Sequence, residues 1–377
     1  MTLESAGSAE DEPGASEPGP LTYESAGVSI AAGDEAVRRL APHARSTYRP
    51  EVLNDIGAFG AVTAVPPGMD EPVLVSANDG AGTKPLIAAA LGRWDTIGID
   101  VVAMCVDDIV TLGAEPLLFH DQITAGRLDP DVVETIVSGL AAGCRTAGCA
   151  LVGGELAEHP DALAPGEVDI AGFAVGVVER AQLRTPVGSE PLVLVGLASG
   201  GLRCNGYSLA RRVLCGSSLD AEQLAAPAWP GADRTLGDEL LRPSVIYAPA
   251  VLSLFSECDA RAAAHITGGG LAANVARMLG PGAQAIVRRG TWPVPAIFDH
   301  IASSGPVAPS EMDRVFNLGI GMVVAVPPAY ADSAIDIAGA AGHDAFRIGE
   351  IRPGNGGAQI IDSDQYPAVS ANAQERR

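Results

Sequence analysis

Lysine is almost missing from this chain of 377 residues: there are 23 arginines and one lysine, Lys84. Basic residues are scarce overall, 24 against 46 acidic ones, for a formal charge of −22. A surface of that sign repels phosphate polymers, which excludes nucleic-acid binding by bulk charge. No run of about 18 apolar residues occurs, and the first twenty positions are acidic, so neither a membrane span nor a signal peptide is expected. The six cysteines form no CxxC pair and read as packed, reduced thiols of a cytoplasmic protein. Trp94, Trp229 and Trp292 are too scattered for a stacking platform and read as packing residues.

What is present is apolar: 47% of the chain, enough to build the cores of two domains. Residues 1–20 hold five acids, three prolines and no basic residue, and read as a disordered leader; residues 363–377 read as a disordered tail. Between them, apolar patterning predicts strands over 72–76, 117–123, 150–152 and 168–178, with helices over 96–112 and 130–147. A polar, turn-rich stretch follows, and the domain boundary is expected near residue 185. A second unit has strands over 192–197 and 321–326 and helices near 208–214, 244–256, 271–279 and 330–341. Helices and strands do not alternate eight times, so the pattern predicts α+β layers rather than a TIM barrel.

Five segments carry chemistry. Ser76-Ala77-Asn78-Asp79-Gly80-Ala81-Gly82-Thr83-Lys84 follows a strand and precedes Pro85, a favourable first helical residue. Its glycines admit a ligand to the backbone, Asp79 offers a hard oxygen for a cation, and Lys84 a charge for phosphate. Proline after Lys84 and the wrong glycine spacing exclude a Walker A loop, and a plain tight turn remains the alternative. In the helix over 96–112, Asp107 points about 20° and Asp108 about 80° from Asp100, so the three acids share one sector: either a ligand cluster or a wet face. Leu151-Val152-Gly153-Gly154-Glu155 reads as a strand entering a double-glycine turn that ends in a carboxylate. With Asp79, Asp107, Asp108 and Asp121, Glu155 would supply oxygen ligands of the kind Mg²⁺ prefers beside nucleotide phosphates. Glycine-rich turns at 199–208 and 265–270 precede helices and suit a phosphorylated substrate. His265 ends an apolar segment and reads as a structural cap.

These segments, in this order, resemble the aminoimidazole ribonucleotide synthetase (phosphoribosylformylglycinamidine cyclo-ligase) family. The likeness covers residues 21–350, through Thr22-Tyr23-Glu24-Ser25-Ala26-Gly27-Val28, Gly57-Ala58-Phe59-Gly60, the glycine segment ending at Lys84, Gly113-Ala114-Glu115-Pro116, Asn205-Gly206-Tyr207-Ser208-Leu209, Thr267-Gly268-Gly269-Gly270 and Phe316-Asn317. The resemblance implies an ATP-binding and dimerisation domain over 21–185, a substrate-side α/β sandwich over 186–362, and a homodimer whose N-terminal sheets join. It implies ATP and Mg²⁺, with K⁺ as a further candidate, and a small ribonucleotide substrate, with no nucleic-acid or membrane partner. The implied metal ligands are Asp79, Asp108 and Glu155, and the implied catalytic residues Asp79, Lys84, Asp108 and Arg203. Gly80, Gly82, Thr83, Lys84, Asp107, Gly153 and Gly154 would hold the nucleotide, and Asn205, Gly206, Tyr207, Ser208, Thr267, Gly268, Gly269 and Gly270 the substrate.

The chain departs from the family pattern at Asn78, Asp107, Leu156, His159, Arg203 and Leu318. Arg203 replaces a group capable of proton transfer with a permanent cation, and Asp107 adds a negative charge beside the expected ligands. These departures open two alternatives: a paralogue that activates a different amide, and a non-catalytic nucleotide-binding paralogue.

Overall fold

The computed structural model describes residues 21–362, so the leader and tail expected at the ends lie outside the described residues. The first half runs α1 (Ile30–Arg45), β1 (Pro72–Gly80), α2 (Pro85–Leu91), α3 (Ile97–Val110), β2 (Glu115–Ala125), α4 (Pro130–Ala147), β3 (Ala150–Glu158) and β4 (Val168–Glu179). Its sheet has the order β1-β4-β2-β3. β4 is antiparallel to both neighbours, while β2 and β3 are parallel and therefore need a crossover, which α4 supplies. Helix α4 is punctuated as its sequence suggests: Asp129 caps it, Pro130 opens it, and Gly148 closes it in a left-handed conformation. α3 and α4 pack backbone to backbone, because a Cβ at Gly98 would lie only 2.2 Å from the Leu140 nitrogen. One sheet face is covered by these helices. On the other, Leu74 and Phe173 stand exposed.

The second half runs β5 (Leu192–Ala198), α5 (Tyr207–Leu214), α6 (Ala221–Ala225), α7 (Leu236–Leu240), α8 (Ala248–Glu257), β6 (Ala262–His265), α9 (Gly270–Ala276), β7 (Ala283–Arg288), α10 (Ala296–Ser304), α11 (Pro309–Val315), β8 (Ile320–Val326), α12 (Ala331–Ala340), β9 (Ala345–Pro353) and β10 (Ala358–Ile361). Its six strands are ordered β10-β7-β9-β5-β8-β6. All seven residues of β8 are buried, as a strand covered on both faces requires. Its side chains alternate: Met322, Val324 and Val326 join the core shared with the first half, and Val323 and Ala325 join a separate core under α9. The expected α+β architecture with a sandwich in its second unit is thus present.

Two local expectations are corrected. β1 does not stop at Ser76 but pairs with β4 as far as Gly80, so Asp79 is a strand residue and not part of a loop. β3 likewise continues through Gly153, Gly154 and Glu155, paired with His120, Asp121 and Gln122 of β2, where the sequence suggested a turn.

Candidate active site

Helix α3 places its acids in two environments. Asp100 Oδ2 lies 2.6 Å from the Lys84 ammonium, and its Oδ1 accepts hydrogen bonds from the Ser244 amide (2.7 Å) and hydroxyl (2.6 Å). The ammonium also donates to the carbonyls of Arg242 (2.6 Å) and Arg203 (3.4 Å). Asp107 Oδ2 accepts from Arg203 Nη2 at 2.7 Å and its Oδ1 from the Tyr247 amide at 2.8 Å. Arg203 adds bonds to the carbonyls of Gly321 and Val245 and stacks 4.9 Å from the Tyr247 ring centre. Burial pushes the Asp107 carboxyl up, and the Arg203 charge opposes that push.

Lys84 and Asp107 are fully buried and Arg203 is 3% exposed, each with its charge spent on a partner inside the chain, so the phosphate contact expected of Lys84, the nucleotide contact expected of Asp107 and the catalytic role expected of Arg203 have no open face in this arrangement. A charge without solvent survives only when paired, and these are the pairs. Nor do Asp100 and Asp107 form a wet face. Their side is the seam between the two halves, crossed by Asp100 to Ser244 and by Asp107 to Arg203. Arg203 even holds a left-handed backbone (φ 63°) at this seam, a conformation uncommon outside glycine.

One residue further along α3, Asp108 turns outward and its side chain is 35% exposed. Its Oδ1 lies 2.8 Å from His265 Nδ1, at the end of β6. Asp79, at the end of β1, is half-buried and accepts from the Gly80 amide at 2.7 Å. Burial first, and the nearby Asp108 charge second, push the Asp79 carboxyl up. Cys105 of α3 donates its thiol to the Asp79 carbonyl, which fixes the strand end on the helix.

Glu155 is not with them. One register row runs Asp79, Gly172, Asp121, Gly154 from edge to edge of the sheet, so Glu155 lies three strand spacings, about 14 Å, from Asp79. Among the described residues no group of three or more His, Cys, Asp or Glu side chains is placed to hold a metal ion. The expected triad of Asp79, Asp108 and Glu155 is thus not assembled within one chain. Gly153, Gly154 and Glu155 instead line a separate cavity of about 230 Å³ under the loop containing Gly57, Phe59 and Gly60. Gly154 is required there, since a Cβ would lie 2.5 Å from Asp121 Oδ1. Burial pushes the Asp121 carboxyl up to about 7.

The three glycine segments do meet. Thr83 Oγ1 lies 3.3 Å from Ser208 Oγ, a Cβ on Gly82 would lie 3.6 Å from the Cys204 carbonyl, and one on Gly268 would lie 3.9 Å from Asn205 Nδ2. They form one rim with Gly80 and Asp79. Several of the expected substrate contacts are nonetheless packing positions. Gly206 would strike the Phe316 ring at 2.4 Å if it carried a Cβ, Tyr207 is buried and donates to the Leu240 carbonyl at 2.6 Å, and Gly270 sits against the Asp313 carbonyl. Asn274 ties the third turn by donating to the carbonyls of Thr267, Gly268 and Gly270. Asn205, Ser208, Thr267, Gly268 and Gly269 remain at the rim.

Two family models match the chain: AIR synthase related protein, N-terminal domain, over residues 57–178, and the C-terminal domain of the same description over 191–362. The chain is 48% identical over 343 residues to phosphoribosylformylglycinamidine cyclo-ligase of Myxococcus xanthus (strain DK1622), covering 90% of this chain and 98% of that protein. It belongs to the phosphoribosylformylglycinamidine cyclo-ligase family. The protein of that name from Anaeromyxobacter sp. (strain Fw109-5) is 49% identical over 340 residues, 90% of this chain and 98% of its own length. Solved structures share the cyclo-ligase fold at lower identity. Thiamine-monophosphate kinase from Stenotrophomonas maltophilia K279a superposes with a TM-score of 0.63 at 20% identity, over 86% of this chain and 95% of that one. The hydrogenase maturation protein HypE in complex with ATP gives 0.62 at 20% identity, over 89% and 93%.

Proposed function

We propose that the chain is an ATP-dependent cyclo-ligase that converts formylglycinamidine ribonucleotide to aminoimidazole ribonucleotide, ADP and phosphate, in the cytoplasm as a step of purine biosynthesis. The observation that carries this reading is the near-half identity to enzymes of that name along almost their whole length. The formyl amide oxygen takes the γ-phosphoryl group, an amidine nitrogen attacks the activated carbon, and phosphate departs in place of a poor oxygen leaving group. Such a transfer asks a protein for positioning and for neutralisation of charge. Asp79 and Asp108 are the residues that would hold Mg²⁺, a hard cation that suits one or two carboxylates and would supply neutralisation of the charge on the transferring group. The rim residues Thr83, Asn205, Ser208 and Thr267 orient the reacting amide beside them.

Asp107 and Arg203, the departures that suggested another substrate, favour no other amide, because each is the buried partner of the other. Their joint presence is a charge-compensated exchange inside the seam.

The same reading includes a homodimer. Leu74 is 62% and Phe173 43% exposed on the uncovered sheet face, and β1 and β3 are its open edges. Asp79 and Glu155 lie at nearly the same height on those opposite edges. Closing two such sheets about a two-fold axis, each β1 beside the other subunit's β3, sets the partner's Glu155 next to Asp79. Incubation with ATP, Mg²⁺ and formylglycinamidine ribonucleotide is expected to yield ADP and an imidazole product, with Asp79→Asn slower by about 10² or more. A near-native rate in that variant would remove Asp79 from the mechanism. Mixing inactive Asp79→Asn and Glu155→Gln chains is expected to restore roughly a quarter of the native rate, since each mixed dimer regains one intact site. No rescue on mixing would return Glu155 to its own chain.

A further inference from the structure

Two turns of the second half reach the rim, at 199–206 and 265–270, and one short segment stands behind both. Helix α11 ends at Val315, and the next two residues, Phe316 and Asn317, are 1% and 5% exposed. Phe316 lays its ring against Gly206, at the far end of the first turn, and its carbonyl would lie 3.2 Å from a Cβ on Gly270, at the far end of the second. Asn317 takes the root of the first turn. Its Nδ2 donates to the carbonyls of Gly201 (3.0 Å) and Leu202 (3.1 Å), while its Oδ1 accepts from the Gly319 amide (2.8 Å) and lies 2.9 Å from Ser199 Oγ. The Gly319 amide can only donate, which fixes which end of the Asn317 side chain is oxygen. All four of its hydrogen-bonding positions are thus occupied, three of them by main chain.

The backbone held in this way is strained. Outside glycine, a left-handed φ occurs among the described residues at Arg203 (63°), Asp259 (54°) and Leu318 (49°), and the first and last of these adjoin the Asn317 contacts. Such conformations persist only where the surroundings over-determine them. Here the carbonyls of Gly201 and Leu202 are held by Asn317 and that of Arg203 by the Lys84 ammonium at 3.4 Å, so three consecutive peptide planes are fixed from behind. Asn205 follows two residues later, at the rim.

We propose that Asn317 is a positioning residue for the ring-closing reaction: it anchors the root of the 199–206 turn, so that Asn205 closes on the ribonucleotide in one orientation. The identity of the substrate rests on the cyclo-ligase reading; the anchor itself does not. Buried behind the turn, Asn317 acts through Asn205 and touches no reacting atom. A side chain on peptide planes free to rotate samples several directions, and a misplacement of about 1 Å can cost about 10² in rate. Because Lys84 grips the same turn from the first half, loss of Asn317 loosens the turn without releasing it.

The test is steady-state kinetics of the full chain with ATP, Mg²⁺ and formylglycinamidine ribonucleotide for Asn317→Ala, Asn205→Ala and the double variant, beside hydrogen exchange of the ligand-free chain read by mass spectrometry. In Asn317→Ala, kcat/KM for the ribonucleotide is expected to fall about tenfold or more while KM for ATP stays within about twofold of native. Asn205→Ala is expected to lose at least as much, and the double variant no more than about twofold further, since both substitutions remove one and the same contact. Exchange over residues 199–208 is expected to quicken about tenfold in Asn317→Ala, with exchange over α3 unchanged, which also shows that the variant is folded. Should Asn317→Ala not fold, Asn317→Asp takes its place, because it keeps an acceptor for the Gly319 amide and removes both N–H donors. Losses that multiply in the double variant, an equal rise in KM for ATP, or an unaltered kcat/KM in a destabilised chain would make Asn317 a packing residue and overturn the proposal, as would failure of both variants to fold. Quickened exchange in a chain whose native form has no cyclo-ligase turnover would sink the cyclo-ligase reading and leave the anchor; native turnover with unchanged exchange and kcat/KM in Asn317→Ala would do the reverse.

Discussion

Asp107 and Asp108 are neighbours in sequence and opposites in role. The first is enclosed, paired with Arg203 and bound to the Tyr247 amide; the second is open to the cleft and paired with His265. A turn of 100° around α3 separates them, and that turn decides which carboxylate faces the protein and which faces a ligand. Asp100, seven residues before Asp107, falls on the enclosed side and pairs with Lys84. A carboxylate's meaning is set by what lies opposite it, not by the helix that carries it.

The contrast can be broken by substitution. Lys84→Met leaves Asp100 as an uncompensated buried charge and is expected to cost about 3–5 kcal/mol in urea unfolding. A cost below about 1 kcal/mol would mean that the pair is solvated after all. Asp107→Asn strands Arg203 and is expected to cost about 3 kcal/mol, of which adding Arg203→His recovers half or more, measured as a double-mutant cycle. Strict additivity of the two would deny the coupling on which the seam depends.

Asp121, at the same height of the sheet as Asp79, tests burial without a counter-charge. Its folded carboxyl is raised to about 7 from an ordinary 3.8, so folding favours the protonated form and stability falls as pH rises from about 4 through 7. Asp121→Asn removes that slope: its unfolding free energy is expected to match the native chain near pH 4 and exceed it by about 1–2 kcal/mol at pH 8. A native chain that is equally stable at both values would refute it. The smallest effect on stability belongs to Asp108→Asn, under about 1 kcal/mol, because its carboxylate already meets solvent; turnover, not folding, is where that variant should fail.

Much of the frame was legible because periodicity and punctuation agree. Helix α4 begins at Pro130 and ends before Gly148 as its capping residues dictate, and β2, β4, β5 and β8 follow their apolar runs to within a few residues. The rest was hidden for definite reasons. Gly153-Gly154 reads as a turn, yet these glycines sit in a strand because His120 and Asp121 fill the space their side chains would need. Helix α8 starts at Ala248 and not near 244, since Pro249 lacks an amide hydrogen and is accommodated only in a first helical turn. Lys84 looked like a ligand contact because nothing local announces a partner 16 residues away. His265, taken for a cap, owes its place to Asp108, 157 residues earlier in the chain.

The seam along α3 also limits how the enzyme moves. Rotating one half against the other would pull Asp100 from Ser244 and Asp107 from Arg203, and would leave the Asp107 and Arg203 charges without a counterpart. Admission of substrate and escape of product must therefore be handled by rim turns such as those at Thr83, Ser208 and Gly268, while the body between them stays still.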